Sequence, residues 1–92
     1  MEDRLRQLLH HTRGAGTRRR IFRAIDERPR NINQLATDLE LDYTTVHYHM
    51  TILENNDIVA SGGSGHGMIY LPSQTVRRHY WETINEIIEA NE

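Results

Sequence analysis

Two histidines stand one residue apart in the stretch TTVHYHM, at residues 44–50. Closely spaced imidazoles can bind a metal, share a proton or contact another macromolecule. Successive residues of an α-helix turn by about 100°, so His47 and His49 would project about 200° apart and cannot chelate one ion. No serine or carboxylate is spaced to complete a catalytic pair. We therefore expect His47 to face outward with Thr44 and Thr51, and His49 to pack at the core edge with a hydrogen bond to backbone.

A second group of ionisable residues lies in the terminal segments. His79 and Glu82 have the i, i+3 spacing that ligands on a helix can use, and His10 and His11 could complete such a site across a dimer. The chain contains no cysteine, which excludes disulfides, thiolate metal sites and cysteine nucleophiles. The residues upstream of His79 lead back into a predicted strand and supply no second pair of ligands. We therefore predict no metal, no cofactor and no catalytic residue.

Charge is divided unevenly along the 92 residues. The first thirty residues carry nine arginines and four acidic residues, a net charge of +5, and the remainder carries two arginines and nine acidic residues, a net charge of −7. A basic first third could face phosphates, although a solvated helix face with Arg–Glu pairs accounts for it equally well. No apolar run approaches a membrane span, and the charged N-terminus lacks a signal-peptide core, so we expect a cytoplasmic protein.

Helical periodicity recurs through the first 57 residues. Leu5, Leu8 and Leu9 predict an N-terminal helix within 1–12, which the glycines of TRGAG interrupt. Thr17 is expected to cap a second helix that ends before Pro29. Asn31 and Gln34 resemble a capping box for a third helix, and a tight turn at 40–42 leads to Asp42, the expected N-cap of a fourth helix at 43–55.

The last third predicts a hairpin and a terminal helix. Strands are expected at Ile58–Val59 and Met68–Leu71, around the glycine-rich tip GGSGHG. A helix over 74–90 should follow. The predicted fold is therefore mainly α with a two-stranded β-wing, a single winged helix-turn-helix domain over 1–92, with its core at 17–57, its wing at 58–72 and additional N- and C-terminal helices.

The segment TRRRIFRAIDERPRNINQLATDLELDYTTVHYHMTILENNDIV resembles the DNA-binding core of ArsR-like winged-helix regulators, particularly archaeal ones. Its opening is similar to the family's Thr-Arg-x-x-Ile-Leu, and its later part to Thr-Val-x-x-His-Leu-x-x-Leu. The absence of lysine among eleven basic residues is similar to the composition of salt-adapted archaeal proteins. The resemblance implies a dimeric transcriptional regulator.

A polar helix in this motif can enter a major groove and bond to base edges and phosphates. We expect the fourth helix to read DNA, the hairpin tip to lie along the backbone or minor groove, and arginines to bind phosphate. As the alternative to core packing, the resemblance implies a position of His49 near phosphate at the edge of the motif. The predicted DNA-binding residues are Tyr43, Thr44, Thr45, His47, Tyr48, Thr51, Ser64, His66, Arg18, Arg19, Arg20 and Arg30.

Two other functions stay open. Residues 31–57 contain no arginine or lysine but five acidic residues, and the wing has no basic residue. Few phosphate contacts imply that DNA affinity depends only weakly on salt, which would suit a protein that works at high salt. The same lack of basic residues would equally suit a winged helix that binds protein instead of DNA. A metal- or ligand-responsive sensor of the same fold is the third hypothesis.

An apolar stripe on the terminal helices exceeds what one short helix can cover. It either closes the core of one chain or forms a two-fold interface, and we favour a homodimer on a pseudo-palindromic duplex DNA site. The predicted interface residues are Leu5, Leu8, Leu9, Tyr80, Trp81, Ile84, Ile87 and Ile88.

Overall fold

The structure, a computed structural model, describes residues 1–63 and 67–91. A first helix, α1, is continued by a π-helical segment, and five further helices and a two-stranded antiparallel sheet follow within the described residues. In chain order the elements are α1 Glu2–Arg6, the π-helical segment Gln7–His11, α2 Ala15–Glu27, α3 Ile32–Leu39, α4 Tyr43–Asn55, β1 Val59–Gly62, β2 Ile69–Pro72, α5 Gln74–His79 and α6 Trp81–Ala90.

The N-cap of helix α2 lies three residues earlier than predicted. It is Gly14, whose φ of 87° lies in the left-handed region that glycine adopts without strain. Thr17 lies inside the first turn instead of capping it, so that prediction is wrong. The helix ends at Glu27, just before Arg28 and Pro29, as the proline predicts.

Helices α3 and α4, which we call the motif helices, follow their predicted bounds closely. Asn31 caps α3 through the predicted box: its side chain accepts from the Gln34 amide at 2.7 Å, and the Gln34 side chain accepts from the Asn31 amide at 2.9 Å. Glu40 takes a left-handed conformation, with φ 56°, and turns the chain toward α4. Asp42 is the N-cap of α4, although its side chain makes no capping hydrogen bond.

The wing is an antiparallel hairpin in which Val59 pairs with Pro72 and Gly62 with Ile69. Both strands begin one residue later than predicted. Arg30 adds a bridge at the other edge of β2: its amide donates to the Tyr70 carbonyl at 3.3 Å, and the Tyr70 amide donates to the Arg30 carbonyl at 2.9 Å. This bridge holds the start of α3 beside the wing.

The predicted single C-terminal helix is two helices. The chain breaks at Tyr80, whose φ of −133° and ψ of 13° are not helical. Ser73 starts α5 by accepting the Val76 amide at 3.1 Å, and it donates to the Asp57 carbonyl at 2.6 Å. Helix α6 then turns back to pack on α1.

The core lies where α2, α4 and the terminal helices meet. Its buried side chains come from nearly every element, including Leu5 and Leu9 of the N-terminal segment and Ile84 and Ile87 of α6. This arrangement is the winged helix-turn-helix fold that the sequence predicts, with additional terminal helices. None of the helices in the described ranges is long and apolar enough to span a membrane.

Candidate nucleic-acid interface

Helix α4 has an inner side in the core and an outer side in solvent. Val46, Met50 and Leu53 are buried, as predicted. The outer side, which we call the outward face of α4, presents hydroxyls, phenols and an imidazole. It consists of Tyr43, Thr44, His47, Tyr48 and Thr51, all exposed. Thr45 is half-buried at the edge of this face.

Two aromatic side chains of this face reach far into solvent. Tyr43 is 51% exposed and Tyr48 is 61% exposed, so neither ring packs in the core. His47 stacks on Tyr43, with ring centroids 6.0 Å apart and an interplanar angle of 19°. Thr51 donates its hydroxyl proton to the His47 carbonyl at 2.9 Å, so this hydroxyl keeps only acceptor capacity for a ligand.

An open groove of about 250 Å³ borders the outward face. Its walls come from α4, from the start of α3 and from the wing. The lining residues are Asn31, Ile32, Asn33, Tyr43, His47, Met68 and Tyr70. Burial raises the pKa of Tyr70, with Glu54 and Tyr43 as further causes, so this phenol stays a neutral hydrogen-bonding group at neutral pH.

The contributions of Asn33, Met68 and Tyr70 to this groove were not predicted from the sequence. Their proximity depends on the Arg30–Tyr70 bridge, which joins positions forty residues apart. A pattern of neighbouring residues carries no signal for such a pairing. The predicted wing contacts Ser64 and His66 lie outside the described residues.

The inner edge of α4 carries a buried histidine and a buried arginine. His49 is 8% exposed and Arg18 is 3% exposed. Arg18 Nη1 lies 3.2 Å from His49 Nδ1. Because a guanidinium only donates, Nδ1 must be the acceptor, which places the proton of the neutral imidazole on Nε2. The expected core-edge position of His49 is confirmed, but its partner is a side chain and not backbone.

Arg18 also bonds three groups of the N-terminal turn. Nε donates to the Leu8 carbonyl at 2.7 Å, and Nη2 donates to Thr12 Oγ1 at 2.8 Å and to the Arg13 carbonyl at 3.0 Å. We call Arg18 with these four partners the Arg18 clasp. Burial lowers the pKa of Arg18, partly opposed by Tyr48, and burial and the Arg18 charge lower the pKa of His49.

The clasp uses the arginine that we expected to bind phosphate. Arg18 is buried with all its nitrogens bonded, so the expectation of a phosphate contact there is corrected. Arg30 is likewise 7% exposed and ion-paired with Glu27 at 3.1 Å and Asp38 at 3.5 Å. A guanidinium neutralised by two carboxylates has little reason to exchange them for phosphate.

Arg19 and Arg20 lie on another side of α2. Arg19 donates to the Leu9 carbonyl at 2.8 Å, and Arg20 donates to the Leu39 carbonyl at 2.8 Å. Both line cavities shared with Ile88 of α6 and not the groove beside α4. The structure therefore does not bring these arginines together with the outward face of α4.

Arg13 directly precedes Gly14, the residue through which the turn packs on α4. It is exposed, and among the described residues its side chain makes no hydrogen bond or ion pair. The next residue, Gly14, packs against the His49 ring so closely that a Cβ there would lie 2.8 Å from His49 Cε1. Arg13 thus belongs to the turn that the Arg18 clasp fixes and that packs on α4.

The predicted interface residues divide into two sets. Leu5, Leu9, Ile84 and Ile87 are at most 2% exposed within one chain, so a second copy cannot reach them without rearrangement. Their burial is explained by packing of α1 on α6, which Arg6 and Glu86 reinforce at 3.5 Å. The half-buried residues of the predicted set are Leu8, Tyr80, Trp81 and Ile88.

The candidate metal ligands do not converge in the described parts of the chain. His79 ends α5 and Glu82 lies in α6, so the break at Tyr80 removes their i, i+3 relation on one helix. His10 instead pairs with Asn91, whose Nδ2 lies 2.8 Å from His10 Nδ1. Residues 1–63 and 67–91 contain no group of three His, Cys, Asp or Glu side chains that could hold a metal ion.

Comparison with known proteins adds one finding. Residues 14–61 match a family model described as a helix-turn-helix domain, which covers more than half of the chain. The match begins at the glycine that precedes α2 and ends in β1, so it includes α2, both motif helices and the start of the wing. No curated protein matches the chain.

Proposed function

The chain belongs to the helix-turn-helix domain family, and on that premise we propose that it is an ArsR-like transcriptional regulator of archaeal type that binds duplex DNA sequence-specifically. The observation that carries the proposal is the outward face of α4. It projects hydrogen-bonding side chains away from the core, beside the groove that α3 and the wing complete. A helix presented in this way can enter the major groove.

The side chains of this face have chemistry suited to base edges. Hydroxyls and imidazoles donate to and accept from bases, and the threonine methyl can contact the thymine methyl. Thr44, His47 and Tyr48 are the residues to which we assign base contacts, with Tyr43 supporting the His47 ring. Thr45 and Thr51 border these contacts. Such neutral contacts give sequence preference with little dependence on salt.

Phosphate contacts are few in this arrangement. We assign one to Arg13, because it is exposed beside α4, and further ones to the amide groups of Asn31 and Asn33 at the start of α3. Arg19 and Arg20 line cavities beside Ile88 and not the groove beside α4, so we leave them out of this assignment.

A mobility-shift titration tests the proposal directly. Random duplexes are selected with the protein at low and at molar salt, and the enriched sequence is titrated with the wild type and with the Thr44→Ala/His47→Ala double variant. We expect the double variant to lose about 1–3 kcal/mol for each good base contact removed. His79→Ala, an exposed histidine on α5, is the matched control and should bind like the wild type. Absence of enrichment at micromolar protein in both salts would contradict DNA binding.

We further propose that the protein acts as a homodimer through its terminal helices. The half-buried Leu8, Tyr80, Trp81 and Ile88 are the apolar residues of this surface that a second copy can reach. A dimer would place two α4 helices about one DNA turn apart on a pseudo-palindromic site. Sedimentation equilibrium should show a dimer that Ile88→Glu dissociates, while the exposed control Glu89→Gln leaves it intact. A wild-type monomer at all concentrations would contradict this proposal.

A protein-binding role is the second candidate, and one observation favours it. The motif helices and the turn between them carry acidic Asp38, Glu40, Asp42 and Glu54 and no basic residue, which repels DNA phosphate. Under this alternative the selection above enriches nothing, yet the same Thr44→Ala/His47→Ala variant loses a protein partner captured at molar salt.

A further inference from the structure

The Arg18 clasp joins three parts of the molecule that are separate in sequence. Its partners are the end of the N-terminal helix at Leu8, the turn at Thr12 and Arg13, and the recognition helix at His49. Four hydrogen bonds of 2.7–3.2 Å use every nitrogen of one guanidinium. No carboxylate is among these partners, so the buried charge is stabilised only by carbonyls, a hydroxyl and an imidazole.

His49 is the only side chain of α4 in the Arg18 clasp. Its Nδ1 must carry a lone pair for the bond to Arg18 to exist. Protonation of Nδ1 would remove the acceptor and place a second cation against Arg18, in a site shielded from water. The other described groups around the ring do not offset that charge: the turn presents the backbone of Gly14, and α4 presents the neutral phenol ring of Tyr48 at 5.1 Å.

We propose that Arg18 is a positioning residue, which holds the 12–14 turn and its Arg13 against the recognition helix for as long as His49 is neutral. The effect on DNA affinity rests on the proposed function. The effect on the position of the 12–14 turn rests on the Arg18 clasp alone. Protonation of His49 opens the clasp and releases the turn. DNA affinity then falls on acidification.

The tight fit around the clasp supports a single closed arrangement. A Cβ at Gly14 would lie 2.8 Å from His49 Cε1 and 2.9 Å from Arg18 Nη1. The ring and the guanidinium therefore pack directly against the backbone of the turn. We expect loss of the Arg18–His49 bond to loosen this packing.

Two substitutions of His49 separate its acceptor from its titration. Asparagine has a side-chain oxygen near the position of Nδ1, so His49→Asn keeps an acceptor for Arg18 that does not protonate. His49→Leu has no acceptor at any pH. His79→Gln, on α5, is the control for general effects of removing an exposed histidine.

Nuclear magnetic resonance of the DNA-free protein tests the clasp. At about pH 7.5 the wild type should show a protected Arg18 Nε–H signal, an Nε2-protonated His49 tautomer and high heteronuclear NOE values for residues 12–14. On acidification below the ordinary histidine range, the protection and the NOE values should fall in the wild type and in His79→Gln. They should stay high in His49→Asn and be low throughout in His49→Leu. Identical behaviour of all four proteins would overturn the inference, whether or not the protein binds DNA.

The second measurement uses the duplex selected by the wild type at about pH 7.5 as the probe. His47 is present in every protein compared, so a difference between the wild type and His49→Asn reports His49 alone. On acidification below the ordinary histidine range, affinity should fall about tenfold more in the wild type than in His49→Asn, the order of one buried hydrogen bond to a charged group. Equal pH dependence in both would refute the coupling to DNA. Failure to select any duplex refutes the proposed function instead, and leaves the resonance experiment to decide the clasp.

Discussion

The arginine-rich helix α2 and the outward face of α4 use polar side chains in opposite ways. Arg18, Arg19 and Arg20 each donate to carbonyl groups of other elements, so their charge helps to hold this chain together. The outward face of α4 contains no arginine, lysine or carboxylate, yet its groups point into solvent. The difference shows that a basic segment need not be the ligand-binding segment, because a guanidinium with five donors can satisfy several backbone carbonyls at once.

The largest expected effect on stability comes from substitution of Arg18, the buried arginine of α2. Arg18→Met should lower the free energy of unfolding by about 3 kcal/mol, because it leaves the Leu8 and Arg13 carbonyls without their donor. Arg20→Met should cost about 1 kcal/mol or less, since its exposed side chain makes one described bond, to the Leu39 carbonyl. Urea denaturation measures both. Equal losses would mean that burial does not distinguish these arginines.

Substitution of two glycines at the start of α2 by alanine should change the stability of the protein in opposite directions. Gly14→Ala forces a left-handed φ of 87° on alanine and a contact of 2.8 Å with the His49 ring, so we expect a loss of about 2 kcal/mol. Gly16→Ala adds a methyl group 3.6 Å from Arg19 Nη2 inside the helix and should stabilise by about 0.5 kcal/mol. Thermal unfolding of the two variants checks this contrast. A stabilised Gly14→Ala would show that the turn does not pack on α4 as described.

Substitutions on the outward face of α4 should affect DNA binding more than stability, the reverse of what we expect for α2. Tyr48→Ala removes a side chain that is 61% exposed, so stability should change by no more than about 0.5 kcal/mol. If Tyr48 contacts a base, binding to the selected duplex should weaken by about 1–3 kcal/mol. Parallel denaturation and mobility-shift measurements separate the two quantities. A large loss of stability with unchanged binding would remove Tyr48 from the proposed interface.

The smallest expected effect concerns salt. Arg13→Ala should reduce the slope of log K against log salt by about 0.9 for each phosphate contact it makes. Arg19→Ala, with its guanidinium turned to the Leu9 carbonyl, should leave the slope unchanged. Titration of the selected duplex over a series of salt concentrations measures both slopes. A larger change for Arg19 would reassign the phosphate contact to the arginine-rich side of α2.

Much of the local structure could be predicted from short patterns. The capping box at Asn31 and Gln34 is present, and α4 covers the predicted 43–55, because both depend on interactions within one helical turn or on one apolar stripe. The π-helical continuation of α1 and the break at Tyr80 were not predictable in that way. Apolar spacing runs through both places without interruption, and the packing of α6 on α1 decides where the chain bends.

The candidate site shows the same division. The sequence by itself determined that His47 and His49 point to different sides of one helix, since helical rotation fixes that angle. It also determined the fold class and the polar character of the outward face. Only the tertiary structure decided that Arg18 bonds His49 and not phosphate, that Leu5 and Ile84 are core residues, and that Asn33 meets Tyr70 at one groove. These outcomes depend on contacts between residues thirty or more positions apart, which periodicity and spacing do not encode.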